Sequence, residues 1–140
     1  AKVKADAKYK KTISVISFDY SCKKPTEKEI QFWAKYGIDE RTLQRYNVKF
    51  LHHVNFHRED KSEYSVFASN AFLLFGYVFG KGKGIKIYRP TAKTRFMYGG
   101  ELPKPYIFGM EQLPPKGEMV IITGGEKDVL SLDAHGFNAI

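Results

Sequence analysis

Two carboxylates follow a pair of glycines near the C-terminal end of the sequence. Gly124 and Gly125 interrupt an apolar run, and Glu126 and Asp128 fall in the first turn of a predicted helix. A glycine turn that leads into a helix N-terminus normally favours phosphate, but two acids at this point would repel it. The same acids suit a divalent cation that bridges them to phosphate oxygens. The alternative interpretation is that they only complement the helix dipole.

A second candidate site is a run of cations and aromatic rings in the middle of the chain. A glycine–lysine turn spans residues 80–84, and Tyr88, Phe96 and Tyr98 are interleaved with the cations that follow. Cations that track phosphates and rings that stack on bases together favour a single nucleic-acid strand. The alternative is a plain hairpin turn with solvated lysines. The candidate residues for binding single-stranded DNA are Lys81, Lys83, Lys86, Arg89, Lys93 and Arg95.

A pair of short helices is predicted before this run. Thr26 and Glu29 have the spacing of a capping box, Gly37 ends the first helix, and Asp39 begins the second. Two helices joined by a glycine turn could form a DNA-reading helix-turn-helix. A hairpin packed on a sheet is favoured, because the helices are short and their aromatic residues suit a core. If the two helices form a helix-turn-helix, the residues that contact DNA bases would be Arg41, Gln44 and Arg45.

The other predicted elements are strands and one C-terminal helix. Strands are predicted over residues 12–20, 71–79, 85–88 and 119–123, and the last of these has the β-branched composition of a buried strand. A helix is predicted over residues 126–135, with Gly136 after its end, and a further strand opens at Phe137. Strand, glycine turn, helix and strand is the order of a parallel βαβ unit.

Composition restricts the class of protein. The chain has 140 residues, of which 43% are hydrophobic and 15% aromatic, so that one folded domain with a core is expected. The formal net charge of +8 points to a polyanionic partner. One cysteine, Cys22, excludes a disulfide framework and agrees with the reducing cytoplasm. No apolar stretch is long enough to span a bilayer, so no membrane partner is expected. The absent initial Met suggests a piece of a longer protein.

The segment VIITGGEKDVLSLDAHGFNAI resembles the first motif of a Toprim domain, the catalytic module of bacterial-type DNA primases and of some topoisomerases and nucleases. Asp128 matches the Asp of that motif and Gly125 matches its Gly. Gly124 stands where the family has a catalytic Glu, and the other acids of the family would lie beyond Ile140. The resemblance implies Mg²⁺ or Mn²⁺ in the full-length parent, with no metal bound tightly by this chain.

The segments GIKIYRPTAKTRFMY and PYIFGMEQLP, together with FWAKYGIDERTLQRYNVKF, resemble the N-terminal subdomain of the primase RNA-polymerase core. The resemblance implies a phage or mobile-element primase-like protein that holds single-stranded template DNA, with a replicative helicase as a further partner. Its parent would be a nucleotidyltransferase, and this chain alone would be inactive. The alternatives are a non-catalytic nucleic-acid-binding module with a decayed Toprim motif, and a Toprim nuclease or topoisomerase accessory.

The expected fold class is α+β. A mixed sheet with a helical hairpin should be followed by the first β-α unit of an α/β Toprim-like fold. The expected divisions are a basic N-terminal segment with one strand over residues 1–22, a template-binding subdomain over 23–117, and the truncated start of a Toprim domain over 118–140.

Overall fold

The computed structural model describes residues 14–140, and this part of the chain contains six strands and three α-helices. The strands are β1 Val15–Cys22, β2 Val48–Arg58, β3 Glu63–Phe67, β4 Phe75–Phe79, β5 Gly84–Tyr88 and β6 Phe96–Gly100. The helices are α1 Glu27–Ala34, α2 Glu40–Arg45 and α3 Glu126–Ala134. The predicted α+β class is confirmed. The lysine-rich start of the chain, with the first residues of the predicted strand over 12–20, lies outside the described residues.

The six strands form one sheet in which every strand pairing is antiparallel. The order is β1-β2-β4-β5-β6, and β3 also pairs with β2. Because β2 has 11 residues, it pairs with β1 along one edge and with β4 and then β3 along the other. Within the described residues, the parallel part of the predicted mixed sheet is limited to a bridge between Ile121 and Ala139.

The sheet curls until its last strand lies close to its first. A Cβ atom added at Gly99 in β6 would come within 3.1 Å of the Phe18 ring in β1 and 3.0 Å of the Phe56 ring in β2. A side chain at Gly99 would force these rings to shift by a few tenths of an ångström, and glycine avoids this crowding. One face of the sheet holds one of two apolar cores, formed by Leu51, Val54, Phe56, Val66, Leu74, Ile85 and Ile87.

The predicted helical hairpin covers the other side of the sheet. Thr26 and Glu29 form the capping box, in which each side chain accepts a hydrogen bond from the amide of the other residue. Asp39 caps α2 by accepting from the Thr42 amide at 2.9 Å. Trp33 is fully buried, and its ring lies 5.0 Å from that of Phe75 in an edge-on contact. The second core is therefore built between the hairpin and the sheet.

One residue considered as a DNA reader is held against another helix instead. Arg45 donates to Asp133 in α3 at 2.8 Å, and the Tyr46 hydroxyl donates to the second carboxylate oxygen of Asp133 at 3.0 Å. These bonds tie the hairpin to α3. The Arg45 side chain is still 53% exposed, but its guanidinium is engaged within the fold, as expected for a hairpin packed on a sheet.

The C-terminal segment has the predicted order of a parallel βαβ unit in a shortened form. The Ile121 amide donates to the Asn138 carbonyl at 2.9 Å, and the Ile140 amide donates to the Ile121 carbonyl at 3.0 Å. Helix α3 connects the two short segments, and Gly136 follows it with φ of 89°. Val129 and Leu130 of α3 pack in the same core as Trp33.

The prediction that residues 119–123 form a buried strand is wrong. Met119, Val120 and Ile122 are 60%, 43% and 82% exposed. Within the described residues this segment pairs only with residues 138–140, so that these three side chains are left exposed, while Ile121 packs partly against the core. The predicted strand over 71–79 is also shorter, since β4 begins at Phe75. No helix in residues 14–140 combines the length and apolar character that crossing a bilayer requires.

Candidate nucleic-acid interface

Strand β5 and its neighbour β6 organise the candidate site. Lys86 of β5 lies directly opposite Tyr98 of β6, and Tyr88 lies opposite Phe96. Residues opposite each other in an antiparallel pair share one face of the sheet, because side chains alternate along each strand. These four side chains therefore meet on one face, which also receives the N-terminal end of α3.

Lys86 lies in the interior, although the sequence suggests a surface cation. It is 9% exposed and forms an ion pair with Glu126 at the start of α3. The Tyr106 hydroxyl donates to the same Glu126 oxygen at 2.8 Å. Burial alone would raise the pKa of Glu126, but the hydrogen bonds from Lys86 and Tyr106 outweigh it and hold that pKa below its ordinary value. Burial and the bond to Glu126 raise the pKa of Tyr106.

The other five candidate cations are divided between the two ends of β5. Lys81 and Lys83 are exposed in the turn before β5, where Lys81 has a left-handed φ of 57°. Lys93 and Arg95 are exposed in the loop between β5 and β6. A strand of 5 residues separates the two groups by about 16 Å.

Arg89 belongs to the second group, but its side chain is half-buried whereas those of Lys93 and Arg95 are exposed. Its guanidinium carbon lies 5.8 Å from the centre of the Phe72 ring, and its Nε is buried without a hydrogen-bond partner in the described residues. The guanidinium is thus held beside an aromatic ring at the end of β5.

Two exposed rings lie between the basic ends. Phe96 is 41% exposed and Tyr98 is 52% exposed. Phe96 stacks on Tyr88 with 5.2 Å between ring centres and an angle of 14°, and Lys86 lies 4.4 Å from the Phe96 ring centre. The buried ion pair and Tyr88 support these rings from beneath. Their other sides are open to solvent.

The Toprim-like motif residues lie at the entrance to α3. Gly125 is the N-cap residue of the helix, and a Cβ at Gly124 would meet no atom within 4 Å. Asp128 is exposed and accepts from the Thr123 hydroxyl at 3.3 Å. Glu126 points instead to Lys86. The structure therefore separates the two acids that the sequence places side by side.

These residues do not by themselves fit a divalent cation. Gly124 offers no side chain, and one oxygen of Glu126 already accepts from Lys86 and Tyr106. Across residues 14–140, no cluster of three or more His, Cys, Asp or Glu side chains is arranged to hold a metal ion.

Sequence reasoning did not anticipate Tyr106 as part of the site. It lies 20 residues before Glu126 in a segment without regular structure, and no local pattern marks it as a partner of Lys86. Its aromatic type in a glycine- and proline-rich stretch was the only available signal.

No family model, curated protein or solved structure matches this chain.

Proposed function

We propose that this chain binds single-stranded DNA across the exposed rings of β6 and the cations at the two ends of β5. The observation that carries the proposal is the pair of exposed rings, Phe96 and Tyr98, between two basic ends of the same strand pair. Exposed aromatic rings give bases a surface for stacking, and flanking cations attract the phosphates. The formal net charge of +8 adds a general attraction for nucleic acid.

The cations in this arrangement have different roles. Lys81 and Lys83 contact phosphates at one end, and Lys93 and Arg95 contact them at the other, with Arg89 beside its ring. The charge of Lys86 is already balanced by Glu126, so Lys86 does not contact phosphate. It instead supports Phe96 and Tyr98, which together form the aromatic platform. A path of about 16 Å accommodates a few nucleotides of an extended strand.

A single strand suits this surface better than a duplex. In a duplex the base faces are stacked on one another, and side-chain rings cannot reach them without unstacking. In a flexible single strand each base can turn its face to Phe96 or Tyr98. Preference for single strands is thus a consequence of the exposed rings, while charge alone would not provide it.

The biological role that we propose is template binding within a DNA-primase-like protein. The support is the resemblance of residues 26–140 to the primase core, in which a basic subdomain precedes the Toprim motif. The parent protein would act in the cytoplasm with a replicative helicase, and Mg²⁺ or Mn²⁺ would be held there by carboxylates that this chain does not supply.

A non-catalytic nucleic-acid-binding module is a second candidate, favoured by one observation. Gly124 lacks the carboxylate of the family motif, and Glu126 is engaged in a largely buried ion pair, with 12% of its side chain exposed. The missing carboxylate at Gly124 and the engagement of Glu126 within the fold are consistent with a protein that binds DNA without metal chemistry. Single-strand binding by β5 and β6 is common to both candidates.

The test is removal of an exposed ring from the platform. Tyr98→Ser should weaken binding of a labelled single strand by about tenfold, because base stacking contributes roughly 1–3 kcal/mol for each base. Tyr64→Ser is the matched control, since Tyr64 is 40% exposed but lies on β3. Equal affinities of the two variants would refute stacking on β6.

A further inference from the structure

A groove of about 950 Å³ lies between the turn that joins β4 to β5 and the segment over residues 103–112. Its lining includes the aromatic side chains Phe79, Tyr106 and Phe108. Phe79 and Tyr106 meet edge to face with 5.2 Å between their ring centres. A groove of this volume and aromatic lining is large enough for a planar ring system of the size of a nucleobase.

The cations of the groove are suited to phosphate. Lys81 and Lys83 of the turn line it, and Lys49 of β2 joins them. The acid in the lining is Glu111. Three cations against one carboxylate give the groove a net positive charge of the kind that attracts a phosphodiester.

The groove adjoins the aromatic platform of β6. Tyr106 lines the groove, and its hydroxyl reaches the Glu126 carboxylate beneath the platform. Lys86 Nζ lies 5.7 Å from the centre of the Tyr106 ring and 5.7 Å from that of Tyr98. A strand that crosses Phe96 and Tyr98 toward Lys83 would therefore reach the groove next.

We propose that this groove takes one nucleotide of the bound single strand, with its base against Phe79 and Tyr106 and its phosphates beside Lys81 and Lys83. The inference rests on the proposed single-strand binding and adds a defined base pocket to it. Asn47 also lines the groove, and its side-chain amide can donate to and accept from the edge of a base, whereas the Gln112 amide nitrogen already donates to the Arg45 carbonyl at 3.1 Å. The pocket therefore gives the site a preference for particular bases.

Photocrosslinking tests this placement directly. The protein over residues 1–140 is irradiated with single-stranded oligonucleotides that each carry one 5-iododeoxyuridine, at successive positions, and crosslinked peptides are identified by mass spectrometry. One position of the label should crosslink to Phe79 or Tyr106, and other positions to Phe96 or Tyr98. Crosslinks that occur only at Phe96 and Tyr98 would overturn the groove and leave the proposed function intact. If the protein fails to bind the oligonucleotides, both the function and the groove are refuted.

A variant of the groove provides a second measurement. Phe79→Leu keeps apolar volume but removes the aromatic face, and it should lower affinity for the single strand about fivefold or more. Phe67→Leu is the control, because Phe67 is 59% exposed on β3 and does not line the groove. Asn47→Gly tolerates the φ of 54° at this position and should reduce differences in affinity among oligonucleotides of different base. Wild-type affinity in Phe79→Leu would contradict the inference.

Discussion

Whether a lysine on a strand reaches solvent depends on what covers its face of the sheet. Lys86 lies in a strand whose neighbours in the sequence are exposed cations, yet α3 places Glu126 directly beside it. The carboxylate is 40 residues away in the sequence, so that no local pattern could have paired them. The residue types of the candidate site were predictable. Which of these residues are exposed and which are buried was not predictable, because it depends on how a distant helix packs.

Loss of Lys86 should be costly to stability. Lys86→Met leaves the Glu126 carboxylate largely buried without its cation, and removal of one partner from such a pair typically costs about 3 kcal/mol. Urea unfolding measures this loss. Adding Glu126→Gln removes the unpaired charge while keeping an acceptor for Tyr106, and should restore most of the stability. If Lys86→Met alone is as stable as the wild type, the ion pair between Lys86 and Glu126 contributes little to stability.

A second ionic contact, on the outer face of β1, β2 and β3, should respond to pH. His57 Nε2 lies 2.6 Å from Asp19, and its Nδ1 lies 3.2 Å from Glu63. The bond to Asp19 raises the pKa of His57 above its ordinary value. The stabilisation is therefore fully present below the unfolded pKa of about 6.5 and is lost as pH rises through the folded pKa.

Replacing the carboxylate should reverse this shift. Asp19→Asn should lower the pKa of His57 toward its ordinary value, as followed by NMR titration of the imidazole ring. Asp60→Asn is the matched control, because Asp60 is an exposed acid that bonds to Ser62 in the nearby turn. An unchanged pKa in Asp19→Asn would mean that the contact does not persist in solution.

The turn into α3 does not require glycine at position 124. A Cβ at Gly124 meets no atom within 4 Å, whereas a Cβ at Gly84 would lie 2.1 Å from the Glu101 carbonyl oxygen. Gly124→Ala should therefore raise the free energy of unfolding by about 0.4–1 kcal/mol, since it restricts the unfolded chain. Gly84→Ala should lower it. Thermal unfolding of both variants checks this contrast, and destabilisation by Gly124→Ala would contradict the open turn.

Elements with strong local signals were predictable from the sequence, and elements defined by pairing were not. The capping box at Thr26 and Glu29 and the glycine after α3 locate their helices within a residue or two. Strands β3 and β6 were missed, because each has only five residues and neither has a run of β-branched residues: β3 is EYSVF and β6 is FMYGG. Backbone pairing with β2 and β5 stabilises their strand conformation. The exposure of Ile122 likewise depends on neighbours that composition does not reveal.

For the whole molecule, the central claim is that its positive charge is organised for a single strand. The +8 charge alone would attract any polyanion. Selectivity for a single strand is predicted because the cations lie at the two ends of β5 and the exposed rings of β6 lie between them. Three to five phosphate contacts should give a slope of log affinity against log salt of about −2 to −3.5. Lys93→Glu with Arg95→Glu should make that slope shallower by about 1.4. Lys24→Glu with Arg41→Glu, a pair of exposed cations outside β4–β6, changes net charge equally and should leave the slope nearly unchanged.

The measurement that tests the claim most directly is a fluorescence-anisotropy titration of the chain against single-stranded and duplex DNA of the same sequence across a salt series. The proposed interface predicts tighter binding of the single strand at every salt concentration and a steep loss of affinity as salt rises. Equal affinity for the two forms, or no binding to either, would contradict it and would show that the exposed rings of β6 do not recognise bases.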